Sequence, residues 1–332
     1  MSDLMIGKMR GLQATSSTKG VFTILAQDHR GSLRRLINPS APESVSGEQL
    51  TKWKRRIVGV LGTYASAVLL DPEYGAAQCI ASGDLPGHVG LLVSLEETGY
   101  TGDPLARESR LVEGWSVAKA KRMGASACKL LIHYHPDAGN EAQQRALIEE
   151  VAEACRRYDI PLFLEPVSFS IRPGVSKDSD EFARERRRVV VETARRLSGL
   201  GVDVLKAEFP VDPLREQDER IWREACEELT GASAVPWALL SAAVPFDLFE
   251  RMVTVACEAG ASGFIAGRAI WIDALRVPES DVDRVLGEAA DRLKRLSALA
   301  DEKGTPWYER HPLGQAIANQ VQVGWHAAYG EI

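Results

Sequence analysis

The sequence predicts an α/β protein: a single (β/α)8 TIM barrel with helical extensions at its N- and C-terminal ends. Three observations point there. About eight short apolar runs rich in β-branched residues recur along the chain, longer helical patterns separate them, and polar residues gather where the runs stop. The runs are VFTILAQD (21–28), YASAVLLD (64–71), VGLLVSLEE (89–97), SACKLLIHYH (126–135), PLFLEP (161–166), VDVLKAEFP (202–210), PWALLSAAV (236–244) and GFIAGRAI (263–270). Most are near-continuously apolar, as parallel strands covered on both faces are. About eight βα units match a closed parallel barrel. A doubly wound open sheet is the competing architecture, and no GxGxxG follows the first run to support it.

The intervening segments read as amphipathic helices. Residues 140–157 start at a candidate N-cap, Asn140, and place Ala146, Ile148, Val151 and Cys155 in one stripe. Residues 180–197 and 247–259 behave similarly, each opening on Asp. Gly201 and Gly260 follow helix ends, where a left-handed cap favours glycine. Residues 281–300 form a further helix with Val282, Val285, Leu286, Ala289, Leu293 and Leu296 at helical spacing. The tail after Pro306 holds Trp307, Trp325 and Tyr329, too aromatic for a solvated end. It is expected to pack on the barrel or on a partner subunit, which leaves a homo-oligomer open. No linker-like tract marks a seam, so residues 1–332 read as one domain: a barrel over about 20–275, and a helix and aromatic tail over 280–332.

Composition narrows the function classes. The chain has 332 residues, 45% hydrophobic, enough for a large core without disulfides or a structural metal. Forty basic and 46 acidic residues give a net charge of −6 spread along the chain, with no footprint for nucleic acid or membrane. The basic runs KWKRR (52–56) and RERRR (184–188) are interleaved with other residues and read as solvated helix faces. Five cysteines, widely spaced and without a CxxC pair, indicate neither a disulfide framework nor a thiolate metal site. The opening residues lack the apolar core of a signal peptide, and no apolar run nears the roughly 18 residues of a membrane span. A cytoplasmic location is the simplest expectation.

In parallel barrels the chemistry sits at the carboxyl ends of the strands. Here those ends carry Asp28-His29-Arg30, Asp71-Pro72-Glu73, Glu96-Glu97, Lys129 with His133 and His135, Glu165, Lys206 with Glu208, Ser241, and Arg268. Several have ordinary readings as well. Asp71 before Pro72 suits a turn, Lys129 suits a snorkelling strand end, and Lys206 suits a buried salt bridge with Glu165 or Glu208. His133 and His135 share a face by period two and would suit a metal, but no third ligand is evident, so no metal is expected.

Lys206 interrupts a buried-strand pattern, and lysine is rarely buried without a partner or a task. Desolvation and a neighbouring ammonium both lower an amine's pKa and yield the neutral nucleophile that attacks a ketone. Glu165 and Asp28 would shuttle protons during iminium formation and bond cleavage. Ser241 and the turn containing Gly267 and Arg268 would end strands seven and eight, the usual phosphate seat. The implied reaction is carbon–carbon cleavage of a phosphorylated ketose through a lysine imine, with no cofactor. A sugar-phosphate sensor without catalysis is the alternative from another class, although a binder has no need of a buried amine.

AQDHRGSLRRL (26–36) resembles the first strand and loop of the tagatose-1,6-bisphosphate aldolase family, a class I aldolase group. LLDPEYG (69–75), GLLVSLEETGYT (90–101), FLEP (163–166), DVLKAEFPV (203–211) and AGASGFIAGRAIW (259–271) are similar to that group in order, over roughly residues 20 to 275. The related sulfofructose-phosphate aldolases share the DVLKAEFP-like and AGRAIW-like segments. The resemblance implies that Lys206 forms the Schiff base, that Glu165 is its acid/base partner, and that Asp28 and Lys129 steer protons and stabilise negative charge. It implies a ketose C1 phosphate held near Ser241 and Arg268, with dihydroxyacetone phosphate and glyceraldehyde 3-phosphate as products. The chain departs from the family at His29, where glutamine is usual, and at Ala243, where glycine is usual. A basic His29 is expected to alter contacts at the far end of the sugar, and together with Arg30 to recognise a distal group. The Cβ of Ala243 is expected to crowd a backbone N–H near phosphate unless the turn is reshaped.

Overall fold

The computed structural model describes residues 5–312, 321, 323–327 and 329. Eight parallel strands close into a barrel: β1 (Phe22–Gln27), β2 (Ala67–Leu70), β3 (Gly90–Ser94), β6 (Ala127–His133), β7 (Leu162–Val167), β8 (Val204–Ala207), β9 (Trp237–Leu240) and β10 (Gly263–Ala266). The intervening β4 (Thr101–Asp103) and β5 (Ala106–Glu108) form a small antiparallel hairpin after β3. Closure is made by β1 against β10, with Phe22 opposite Gly263 and Leu25 opposite Ala266. Gly263 has φ +107°, and a Cβ there would meet the carbonyl oxygen of Phe22 at 2.1 Å, so the seam accepts no side chain.

Two apolar layers explain the continuous hydrophobicity of the strands. Alternate residues point inward, where Phe22, Ile24, Ala26, Leu69, Leu92, Ala127, Phe163, Val204, Ala238 and Ile265 fill the barrel. Their neighbours point outward under the helices, as Leu25, Val68, Cys128, Leu164, Leu205 and Leu239 do. Leu12, from the helix Ile6–Thr15, and Trp307 complete the inner cluster. Gly11 lets that helix lie close, since a Cβ there would fall 2.3 Å from Ser126 O.

The helices follow the sequence pattern closely, with corrections at their starts and at Ala146, which is exposed while Gln144 is buried with Ile148, Val151 and Cys155. Glu141–Arg157 follows Asn140, but the Asn140 side chain donates to Arg107 O and caps nothing. Asp180–Leu197 is capped by Ser179, whose hydroxyl accepts from Phe182 N, rather than by an aspartate. Phe246–Glu258 begins one residue before Asp247. Gly201 and Gly260 take the expected left-handed backbone at φ +78° and +101°. The terminal helix runs Val282–Lys303 with the predicted stripe buried. Of the aromatic tail, Trp307 is buried as expected, but Trp325 is half-buried and Tyr329 is exposed; 313–320, 322, 328 and 330–332 lie outside the described residues.

Neither basic run is wholly solvated, contrary to the sequence pattern. Lys54 lies fully buried in the helix Gly47–Leu61, on the same stripe as Leu50, Ile57, Val58 and Leu61, and Arg186 is buried in Asp180–Leu197. One basic residue in each run falls on the inward face of its helix. Apart from β7, which is as long as its run, the barrel strands are also shorter than the apolar runs. Ser241 lies one residue beyond β9, and Arg268 opens the short helix Arg268–Trp271 rather than ending a strand. Among the described residues no helix is long and apolar enough to cross a membrane, and all five cysteines are buried and unpaired.

Candidate active site

The inward series of four strands continues past the apolar layers into charge. In β1 the series Phe22, Ile24, Ala26 leads to Asp28; in β6 Ala127 leads to Lys129; in β7 Phe163 leads to Glu165; in β8 Val204 leads to Lys206. A cavity of about 390 Å³ opens above them, and Asp28, Arg30, Lys129, Glu165, Lys206, Ser241, Gly267 and Arg268 all line it. That size suits a small ligand.

Lys129 is the hub. Its ammonium lies 2.8 Å from Asp28 Oδ2, 2.7 Å from Glu96 Oε1 and 2.7 Å from Glu165 Oε2, with 1% of the side chain exposed. Burial opposes its charge, but Asp28, Glu165 and Glu96 outweigh burial and hold its pKa well above the usual lysine range. Asp28 mirrors it: burial opposes the carboxylate, yet Lys129 and then Lys206 keep its pKa well below the usual value. Glu96 is pushed upward by burial, and its other oxygen accepts from Leu131 N at 2.9 Å. Lys206 is 5% exposed, and its ammonium pairs with Glu165 Oε1 at 2.8 Å. Glu165 therefore stands between the two lysines, one oxygen facing each.

The opposite wall is built by β9 and β10. Gly267 N donates to Ser241 Oγ at 3.3 Å, and among the described residues the Arg268 guanidinium has no ion-pair or hydrogen-bond partner. A Cβ at Gly267 would meet Ala26 O at 2.6 Å and His29 Cε1 at 2.8 Å. In the turn after β9, Ala242 and Ala243 have φ +44° and +60°, a left-handed backbone that L-residues enter at a cost.

His29 departs from expectation. Burial, with Arg268 and Lys206 nearby, outweighs Asp28 and lowers its pKa to about 3, so the ring is neutral near pH 7. It packs edge-on against Trp271, on the wall that holds Gly267 and Arg268. It is therefore neither basic nor placed across the cavity from that wall. Arg30 is also redirected. Its terminal nitrogens donate to Glu73 Oε2 at 2.7 Å and to Glu96 O at 2.5 Å, so its fork faces protein groups.

Glu208 was named as a partner for Lys206, but it pairs with Lys177, has Arg186 at 3.7 Å, and accepts from Ser168 N at 2.8 Å. Burial opposes its charge, and Lys177 and Arg186 reverse that effect and lower its pKa to about 2. Lys177, which also lines the cavity, gave no sequence signal within the polar loop that carries it. His133 lines the cavity with its ring against Tyr100, whereas His135 is buried against Phe169. Among the described residues no group of three or more His, Cys, Asp or Glu could hold a metal ion.

Residues 22–273 match the family model described as DeoC/LacD family aldolase. A tagatose 1,6-diphosphate aldolase of Listeria monocytogenes serotype 4a (strain HCC23) is 32% identical, over 94% of this chain and 96% of that protein. Tagatose 1,6-diphosphate aldolase 2 of Streptococcus pyogenes serotype M1 is 31% identical, over 89% of this chain and 95% of its own length. Among solved structures, an archaeal fructose 1,6-bisphosphate aldolase shares the fold at a TM-score of 0.58 and 22% identity, covering 88% of this chain and 98% of its own. The fructose-bisphosphate aldolase of Plasmodium falciparum does so at 0.66 and 14%, covering 92% and 97%.

Proposed function

This chain belongs to the DeoC/LacD family of aldolases, and on that premise we propose a class I, Schiff-base aldolase that cleaves D-tagatose 1,6-bisphosphate to dihydroxyacetone phosphate and glyceraldehyde 3-phosphate. The observation that carries it is the placement of Glu165 between Lys206 and Lys129, at 2.8 and 2.7 Å. It also separates the roles of the two amines. Lys129, held by three carboxylates, stays a cation and stabilises negative charge on the substrate, which leaves Lys206 as the nucleophile.

In this reading Lys206 passes a proton to Glu165 and its lone pair attacks C2 of the open-chain ketose. The carbinolamine loses its hydroxyl as water, protonated by a carboxylic acid of the site, and an iminium remains. A carboxylate then takes the C4 hydroxyl proton. The C3–C4 electrons flow into the iminium, releasing the aldehyde and leaving an enamine. Protonation of the enamine at C3 and addition of water return the ketone and free Lys206. Asp28, kept ionised beside Lys129, steers these protons. Ser241, Gly267 and Arg268 receive the C1 phosphate. Arg30 faces Glu73 and Glu96 and Lys177 is held by Glu208, so Arg35, which lines the same cavity, is the cation left for the distal group. A sulfonate there would be met by the same cation, which keeps a sulfofructose-phosphate type of substrate as the second reading.

Borohydride reduction in the presence of dihydroxyacetone phosphate is expected to add the mass of one reduced adduct at Lys206. The Lys206→Met variant is expected to be folded and inactive. An active, folded protein that yields no adduct would sink the imine mechanism. Parallel assays on tagatose, fructose and sulfofructose phosphates rank the substrates, and activity is expected to survive a chelator.

A further inference from the structure

We infer that Lys54 is a positioning residue for the reaction: its ammonium, buried outside the barrel wall, clamps the main chain on both sides of Asp28 and so fixes the aim of that carboxylate at Lys129. The geometry is specific. Lys54 Nζ donates to Gln27 O at 2.6 Å and to His29 O at 2.8 Å, the carbonyls immediately before and after Asp28. Its third contact is an ion pair with Asp71 Oδ1 at 2.7 Å, and neither side chain is exposed. Asp71 is itself held, its other oxygen accepting from Glu73 N at 3.1 Å and Tyr74 N at 2.8 Å.

Asp28 needs such a clamp because β1 ends at Gln27. Residue 28 lies just past the strand ladder that fixes Gln27, yet its carboxylate must hold a 2.8 Å contact to Lys129. The charged and titratable groups around it are Lys129, Lys206 and Glu96 across the barrel, His29 on its own loop, and Arg268 on the β10 side. Several pull in different directions, so without a fixed backbone the carboxylate can follow Lys206, His29 or Arg268 instead of Lys129. A displacement of about 1 Å in a proton-transfer group can lower a rate up to a hundredfold.

The inference rests on the reading that Asp28 steers protons in the lysine chemistry, and the test separates the two. Two quantities are measured with dihydroxyacetone phosphate: the borohydride adduct at Lys206, and the rate of hydrogen exchange with solvent at the hydroxymethyl carbon next to the ketone, the one that becomes C3. The exchange rate per mole of adduct does not depend on the folded fraction, so a partly unfolded variant still gives an answer. For Lys54→Met, and for Lys54→Met/Asp71→Asn in which the buried pair is removed as a unit, this ratio is expected to fall about tenfold, as in Asp28→Asn. Asp71→Asn alone keeps the ammonium on both carbonyls and is expected to hold the parental ratio. A parental ratio in the Lys54 variants, or an equal fall in Asp71→Asn, overturns the clamp and leaves Lys54 as packing. A parental ratio in Asp28→Asn overturns the reading of Asp28 itself.

Discussion

A lysine surrounded by three carboxylates and a lysine facing one of them are chemically different amines, although both are buried in the same barrel. Sequence spacing placed both in the site but could not divide their roles, because the division depends on which carboxylates turn toward which ammonium. Glu96 was legible only as a polar strand end. Lys54 was hidden by its charged neighbours, which share its sequence window but not its helix face. The neutral histidines give a prediction at this scale. With folded pKa values near 3 for His29 and 4 for His133, against 6.5 ordinarily, the unfolded chain takes up these protons first as pH falls. Their contribution is complete above pH 6.5 and is lost as pH falls toward those values. His29→Gln is expected to flatten the decline in urea-unfolding free energy between pH 6.5 and 5 by up to about 1.4 kcal/mol per pH unit. Titrating the parent and the variant side by side checks this.

Among the elements, the parallel strands were the most legible, because a strand between two apolar layers leaves an unbroken hydrophobic run. Their ends were not. Ser241 and Arg268 extended the runs in sequence while the hydrogen-bonded ladder had already stopped at Leu240 and Ala266. The turn after β9 was recognised as a departure, but its geometry could not be. Ala242 and Ala243 take the left-handed backbone that glycine enters most readily. Ala243→Gly removes a Cβ from a left-handed position at the cost of greater freedom in the unfolded chain. The variant is expected to be more stable by up to about 1 kcal/mol. The urea midpoint measures it.

For the whole molecule, closure of the barrel and the filling of its lower interior decide where chemistry can occur. Phe22 and Phe163 meet edge-to-face across the interior at 5.2 Å, and Leu12 and Trp307 complete the same cluster. Trp307 is 3% exposed, its indole N–H donates to Ser16 Oγ at 3.1 Å, and its backbone N–H donates to Gly20 O at 2.8 Å. Trp307→Ala is expected to destabilise the fold by about 3–5 kcal/mol. Differential scanning calorimetry would register the loss, and kcat is expected to change little at temperatures where the variant is folded. The aromatic content of the tail signalled burial, but the surface it covers is assembled from strands far away in sequence.

The plug formed by Leu12 and Trp307 lies at the pole opposite Lys206, and this bears on how the protein can be handled. A tether attached at Arg10 or Gln13, exposed residues of the helix Ile6–Thr15, leaves from the face remote from the cavity. Molecules anchored to a bead by that route would present their entrances to the surrounding liquid, so immobilised and free preparations should turn over a diffusing sugar at similar rates.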